Sequence, residues 1–373
     1  MRGRSFVVSA LMLAWAGVNQ AAMAQSAPSA PFSTDIRRAE VRRVMTAAAD
    51  WQLAHPSEHA PYDWTVAAFY TGVMALAKMP DTQRYYDAMK AMGERNQWRP
   101  GLRPGVADDH AVIATYAKIF QREKDKKILE PSLALFDFLT TLPFSEPLKW
   151  ENGIESREWA WCDALFMAPP ALAAVTTVTG DKKYLDLANR LWWKTTAYLY
   201  DTTEHLYYRD SRFFDQREPN GRKVFWSRGN GWVFAGTARM LEELPADHPD
   251  RARYVALFRA MAEKIASLQG KDGYWRASLL DPDSRPNAET SGTGFYIYGL
   301  AWGINHGLLD RTRYEPAVTR GWSAIVSAVH PDGMLGWVQR IGDRPGATTA
   351  ETTEVYGVGA LLLAGTEVYA LAK

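Results

Sequence analysis

Thiols are nearly absent from this chain. Cys162 is the one cysteine among 373 residues, so no internal disulfide can form. An excess of one charge is missing too: 43 lysines and arginines face 42 aspartates and glutamates, a net charge of +1. Such a balance gives no long-range pull toward nucleic acid or acidic lipid, and neither is expected as a partner. The seven histidines and the single cysteine show no metal-ligand spacing. There is no glycine-rich phosphate loop and no nucleophile elbow. No metal and no cofactor are therefore expected. Beyond the N-terminal segment no apolar run is long enough to span a bilayer.

Aromatic residues are plentiful. Fifteen tryptophans and seventeen tyrosines suit either helix-to-helix packing or stacking on sugar rings. The N-terminus has the pattern of a secretory signal: Arg2 and Arg4, the apolar run "SFVVSALMLAWAGV", then "AMA" at Ala22 to Ala24. Cleavage after Ala24 is expected, with no membrane association afterwards and a periplasmic or secreted destination in a bacterium. The expected organisation is a signal peptide over 1–24, a loose extension over 25–42 and one catalytic domain over 43–373.

That domain carries a degenerate repeat. "MPDTQRYYDAMKAM", "EKDKKILEPSLALF", "TGDKKYLDLANRLW", "HPDRARYVALFRAM" and "LLDRTRYEPAVTRG" each set an Asp before an amphipathic helix. Asp81, Asp125, Asp181, Asp250 and Asp310 are the expected N-caps. A second helix, rich in Ala and Gly and apolar on most sides, precedes each of them, for example "TGFYIYGLAWGINHGLL". Alternating buried and water-facing helices predict an all-α, single-domain (α/α)6 toroid of six hairpins, with short hairpin arms at "HLYYRDSR" and "GMLGWVQR". An unclosed helical bundle is the alternative.

A closed toroid gathers the starts of its inner helices around one mouth. Trp64, the pair Asp108 and Asp109, Trp161 with Asp163, "WSRGNGW" from Trp226 to Trp232, Glu289 to Thr293, and Glu351 to Glu354 open the six. Thr290, Thr352 and Asp108 read as helix caps or supports. Asp163 does not, because Trp161, Cys162, Phe166 and Met167 surround it. An apolar shell disfavours ionisation and raises a carboxyl pKa, as a proton donor requires. Asp109 is the expected second carboxylate of a glycosidase-like pair. Arg228, between tryptophans and beside Gly229 and Gly231, offers a planar fork to a uronate carboxylate, or else pairs with a structural Asp. Arg209 in "LYYRDS" lies just before the fourth inner helix. It either reaches the same mouth and favours acidic substrates, or pairs with Asp210 or Asp215.

"WCDALFMAPP", "FWSRGNGW", "ADDHAV" and "ETSGTGFYIYGLAWG" together resemble glycoside hydrolase family 105, the unsaturated rhamnogalacturonyl hydrolases. More distantly the chain is similar to the unsaturated glucuronyl hydrolases of family 88. The resemblance spans about Arg43 to the C-terminus and implies the (α/α)6 barrel. It implies a substrate left by polysaccharide lyases, with a 4,5-unsaturated uronic acid at the non-reducing end, as in pectin and rhamnogalacturonan degradation. By the same resemblance Asp163 protonates C4 of the double bond and helps water add at C5, and Asp109 assists. Trp226, Arg228 and Trp232 hold the uronate, and Trp161 lines the ring pocket. Two histidines of the family are missing here, with Arg209 and Asn152 in their places. The competing readings are another (α/α)6 sugar enzyme, either a saturated glycosidase or an epimerase, and a non-catalytic sugar-binding protein. An epimerase of this architecture uses paired histidines, and the inner-helix starts offer only His110.

Overall fold

Apolar surface on every side of a helix forces it inward, and the chain alternates such helices with one-sided ones. The computed structural model describes residues 31–372, and the expected signal peptide lies outside them. In chain order the helices are α1 (Arg38–Ala54), α2 (Trp64–Leu76), α3 (Gln83–Arg95), α4 (Ile113–Glu123), α5 (Glu130–Thr141), the single turn α6 (Ala164–Met167), α7 (Pro169–Thr179), α8 (Lys182–Leu199), α9 (Ser227–Glu243), α10 (Arg251–Ser267), α11 (Thr290–Asn305), α12 (Arg311–Ser327) and α13 (Val355–Leu371). The first outer helix begins at Arg38, five residues ahead of the domain start read from the sequence.

Helices α2, α4, α7, α9, α11 and α13 each pack on the next, and α13 returns to pack on α2. They form the inner ring of an (α/α)6 toroid, with α1, α3, α5, α8, α10 and α12 outside. The closed ring replaces the alternative of an open bundle. Inner helix α11 is buried at every position from Thr290 to Ile304. Outer helix α8 buries only one stripe, with Tyr184, Leu187, Ala188, Leu191 and Trp192 at helical spacing. Each fully buried large apolar side chain contributes about 1.5–3 kcal/mol. Ring closure also needs backbones in close approach. A Cβ added at Gly72 would lie 2.5 Å from the Gly359 carbonyl oxygen, and one at Gly359 would lie 2.4 Å from that of Ala68. Only glycine allows α2 and α13 to touch in this way.

Among the described residues strand is limited to β1 (Tyr200–Asp201) with β2 (Leu206–Tyr207), antiparallel, and isolated bridges Arg217 to Lys223, Trp226 to Ser278 and Val329 to Leu335; β1 with β2 and the last bridge stand at the two expected arms. Among the described residues no helix is long and apolar enough to cross a membrane.

The expected caps are only partly met. Asp181 accepts from the Lys183 amide and Asp310 from that of Arg313. Asp125 caps a short 3-10 turn ahead of α5. Asp250 holds the N-cap position of α10, but its carboxylate accepts from Asn189 Nδ2 at 2.6 Å instead. Asp81 sits one residue too early with φ at 60°, and Thr82 occupies the N-cap. Thr290 and Thr352 are not caps: Glu289 caps α11 and Glu354 precedes α13, and both threonine hydroxyls donate to loop carbonyls.

Candidate active site

Each inner helix is followed by an outer one that returns, so the inner helices run parallel and their N-termini share one end of the ring. Partial positive charge from the unpaired amides collects there. Asp63 and Glu289 answer some of it, accepting from the amides of Thr65, and of Ser291 and Gly292.

Asp163 stands at the N-cap position of α6 and is buried. Its Oδ2 is 3.4 Å from Cys162 Sγ, which donates to it, and 3.6 Å from Arg209 Nε. Burial pushes its carboxyl pKa up, while the charges of Arg209 and Arg228 pull back. The segment carrying Arg209 is tied to this turn by the backbone, since the Cys162 amide donates to the Arg209 carbonyl. Asn230, on the first turn of α9, fixes the same segment by exchanging two bonds with the Tyr207 backbone.

The aspartate pair ahead of α4 divides its work in a way the sequence did not reveal. The two lie side by side in a 3-10 turn, Ala107–His110, and their side chains leave it in different directions. Asp109 turns into the body of the protein, where it accepts from the Arg103 amide at 2.7 Å and pairs with the Arg103 guanidinium at 2.6 Å. Gly101 packs so tightly on it that an added Cβ would lie 2.3 Å from the Asp109 carboxyl carbon. Asp108 makes no side-chain hydrogen bond among the described residues. Burial first, then the negative charge of Asp163, push its pKa up to about 7, against the pull of Arg209 and Arg103. The carboxyl that faces Asp163 electrostatically is therefore Asp108.

Arg228 is fully buried. Its guanidinium lies over the rings of Trp226 at 4.5 Å and Tyr356 at 4.8 Å. Nη1 donates to the Gln339 carbonyl at 2.6 Å and Nη2 to that of Arg340 at 3.1 Å, which leaves Nε without a partner. The fork expected for a uronate thus holds a loop, and no structural Asp pairs with it among the described residues. Gly229 permits this packing, since an added Cβ would lie 2.9 Å from the Trp226 ring and 3.2 Å from Cys162 Sγ. Arg228→Lys keeps the charge but cannot reach both carbonyls, so a loss of about 2 kcal/mol of stability is expected by denaturant titration. An unchanged midpoint would show that these bonds contribute nothing.

Arg209 does pair with Asp210, Nη1 to Oδ2 at 2.7 Å, and Arg212 pairs with the same carboxylate, which is fully buried. Both guanidiniums lie on the Trp150 ring, at 4.6 and 4.7 Å. The pairing does not remove Arg209 from the site, because its Nε side still faces Asp163. The expected aromatics differ in exposure. Trp64 is partly exposed and stacks on Tyr356 at 5.3 Å. Trp161 and Trp226 are nearly closed off, with Trp161 edge-on to Trp150 and Trp226 Nε1 donating to Gln339. Trp232 has no exposed surface and backs Trp64 among Phe166, Phe295 and Tyr356. Asn152 is exposed in a turn at φ 53°. Residues that sequence reasoning missed are Trp150, Gln339 and Tyr356, none of which left a local signal; Asp210, one of the two partners expected for Arg209, is the one it takes.

No grouping of His, Cys, Asp and Glu among the described residues could hold a metal ion. The arrangement can move a proton: two carboxyls with raised pKa, two guanidiniums against one of them, and an aromatic rim.

A family model described as Glycosyl Hydrolase Family 88 matches residues 36–372. A curated relative from Formosa agariphila, named unsaturated 3S-rhamnoglycuronyl hydrolase, is 41% identical over 351 residues, 90% of this chain and 92% of its own. A solved glycosyl hydrolase family 88 structure from Bacteroides vulgatus aligns with a TM-score of 0.80 at 28% identity, covering 90% of this chain and 99% of its own. A solved protein from Salmonella enterica, described as a possible member of the GH105 family, shares the fold with a TM-score of 0.73 at 18% identity, over 90% of this chain and 94% of its own.

Proposed function

Because the chain belongs to Glycosyl Hydrolase Family 88, we propose that it removes a 4,5-unsaturated uronic acid from the non-reducing end of lyase-generated oligosaccharides by hydrating the double bond. The observation that carries the reading is a buried Asp163 with Arg209 and Arg228 on it and Asp108 in its field. Asp163 in its acid form gives a proton to C4. Water adds at C5 as its own proton passes to a carboxylate of the pair, so the site ends with the proton it began with. The hemiketal formed at C5 then opens and releases the neighbouring sugar. We assign the second carboxylate to Asp108 and give Asp109 the task of anchoring the turn through Arg103.

The substrate carboxylate is proposed to lie against Arg209, whose Nη2 makes no hydrogen bond among the described residues while its Nε faces Asp163, with Arg228 adding charge from behind. A bound anion would offset the pull of both cations on Asp163 and so favour its protonated form when substrate is present. Trp64, Trp161 and Trp226 are proposed to wall the sugar ring, with Trp232 supporting Trp64. The name of the Formosa relative favours a rhamnose-containing oligosaccharide over other neighbours of the uronate. Arg2 and Arg4 ahead of an apolar run and the "AMA" site support export to the periplasm or medium.

The test is loss of the ultraviolet absorbance of the unsaturated uronate, compared on disaccharides from pectin, ulvan and glycosaminoglycan lyases. Absence of loss on all three, or faster cleavage of saturated analogues, would overturn the reading. Arg209→Gln supplies a second check. Removing a cation beside Asp163 raises its pKa, so the acid stays protonated to higher pH and the alkaline limb of kcat should move upward. A limb that moves downward or stays in place contradicts the assignment.

A further inference from the structure

The ring has a second opening, at the end where the inner helices finish. A cavity of about 270 Å³ lies there. Every inner helix contributes to its wall: Met74 from α2, Thr115 from α4, Ala174 from α7, Arg239 from α9, Tyr298 from α11 and Leu363 from α13. It is closed from the catalytic mouth by the packed rings of Phe166, Trp232 and Phe295.

Arg239 is the unusual group in that wall. It is 9% exposed, and its guanidinium lies flat on the Phe166 ring at 4.5 Å. Nη1 donates to the Phe166 carbonyl at 2.9 Å. Nε and Nη2, the edge that fits a carboxylate side-on, make no hydrogen bond among the described residues, and no carboxylate pairs with Arg239. The acidic neighbours are engaged elsewhere. Glu243 is ion-paired with Lys118 and accepts from Thr177. Glu367 accepts from Asn305, and burial raises its pKa. Glu242 is exposed, with the Tyr298 hydroxyl 3.4 Å away. Arg239 lines the cavity with this edge open, and a buried cation left without a counter-charge calls for an anionic ligand.

We propose that this cavity is a binding site for a small hydroxy-carboxylate. Its carboxylate pairs with the Nε and Nη2 edge of Arg239, its hydroxyls meet the Lys118–Glu243 pair, and its carbon chain lies on Met74 and Leu363. The site is separate from the catalytic mouth but touches it through one link. Arg239 holds the carbonyl of Phe166, whose amide donates to the Asp163 carbonyl at 3.0 Å.

The experiment is calorimetric titration of the purified protein with D-gluconate and with sorbitol, which has the same hydroxyl chain but no carboxylate. Gluconate is expected to bind one to one with Kd on the order of 1 mM or tighter, and sorbitol at least about tenfold more weakly. Arg239→Gln should abolish gluconate binding. Ala174→Phe, which fills the cavity and leaves the charges alone, should do the same. Asp163→Asn, at the other end of the ring, should leave it unchanged. Melting curves identify any variant that fails to fold, and the remaining variants then decide. The proposal falls if wild type does not bind gluconate, if sorbitol binds equally well, or if folded Arg239→Gln and Ala174→Phe retain the affinity. It falls too if Asp163→Asn removes binding, since the gluconate would then sit in the catalytic mouth.

Discussion

Asp163→Asn is expected to lower kcat by about 10²- to 10⁴-fold, the usual contribution of a positioned acid–base group, with the fold intact. The amide is nearly isosteric and cannot deliver a proton to carbon. Its surroundings tolerate a neutral group, because burial already disfavours the charged form. Steady-state rates with circular dichroism and a melting curve would check this. A variant that keeps more than about a tenth of the rate would remove Asp163 from the acid role.

Asp108→Asn should lower kcat by about 10²-fold and at the same time change how stability depends on pH. The sign follows from linkage. The folded-state pKa is raised to about 7 from an ordinary carboxyl value. The folded protein therefore holds a proton that the unfolded chain releases, and stability falls as pH rises from about 4 through about 7. The asparagine variant lacks this loss. It should match wild type at low pH and exceed it at pH 8, by an amount on the order of 2 kcal/mol after allowance for partial exposure. Asp109→Asn is expected to lower stability instead, by about 1–2 kcal/mol, because it weakens the bonds to the Arg103 amide and to the largely exposed Arg103 guanidinium. If Asp109→Asn is the more stable and less active of the two, the assignments are reversed.

These adjacent aspartates show where sequence reading runs out. The six inner-helix starts were legible because helices buried on all sides need Ala, Gly and large apolar residues throughout, as α11 and α13 display. The burial of Asp163 was legible because its neighbours in the sequence are Trp, Cys, Phe and Met. Which of Asp108 and Asp109 is taken up by Arg103 depends on how the loop ahead of the turn folds back on it, and neither letter records that. What holds the fork of Arg228 was not legible for a related reason. Its acceptors are main-chain carbonyls of Gln339 and Arg340, more than a hundred residues away, and a carbonyl carries no side-chain signature. Trp232 and Trp64 look alike as letters on inner helices, yet one is fully covered and the other keeps part of its ring open.

The glycine contact between α2 and α13 has a consequence for how the chain reaches its native state. The first inner helix of the ring is completed by the last, almost three hundred residues later. Bringing such distant segments together costs loop entropy that grows only logarithmically with length, so closure is thermodynamically affordable but depends on non-local contacts and is slow. Until α13 has emerged, α2 and α11 both expose the faces that it will cover. A chain cut before Val355 would present two apolar walls to water and aggregate rather than fold, while one elongating on the ribosome stays unclosed until its final helix appears.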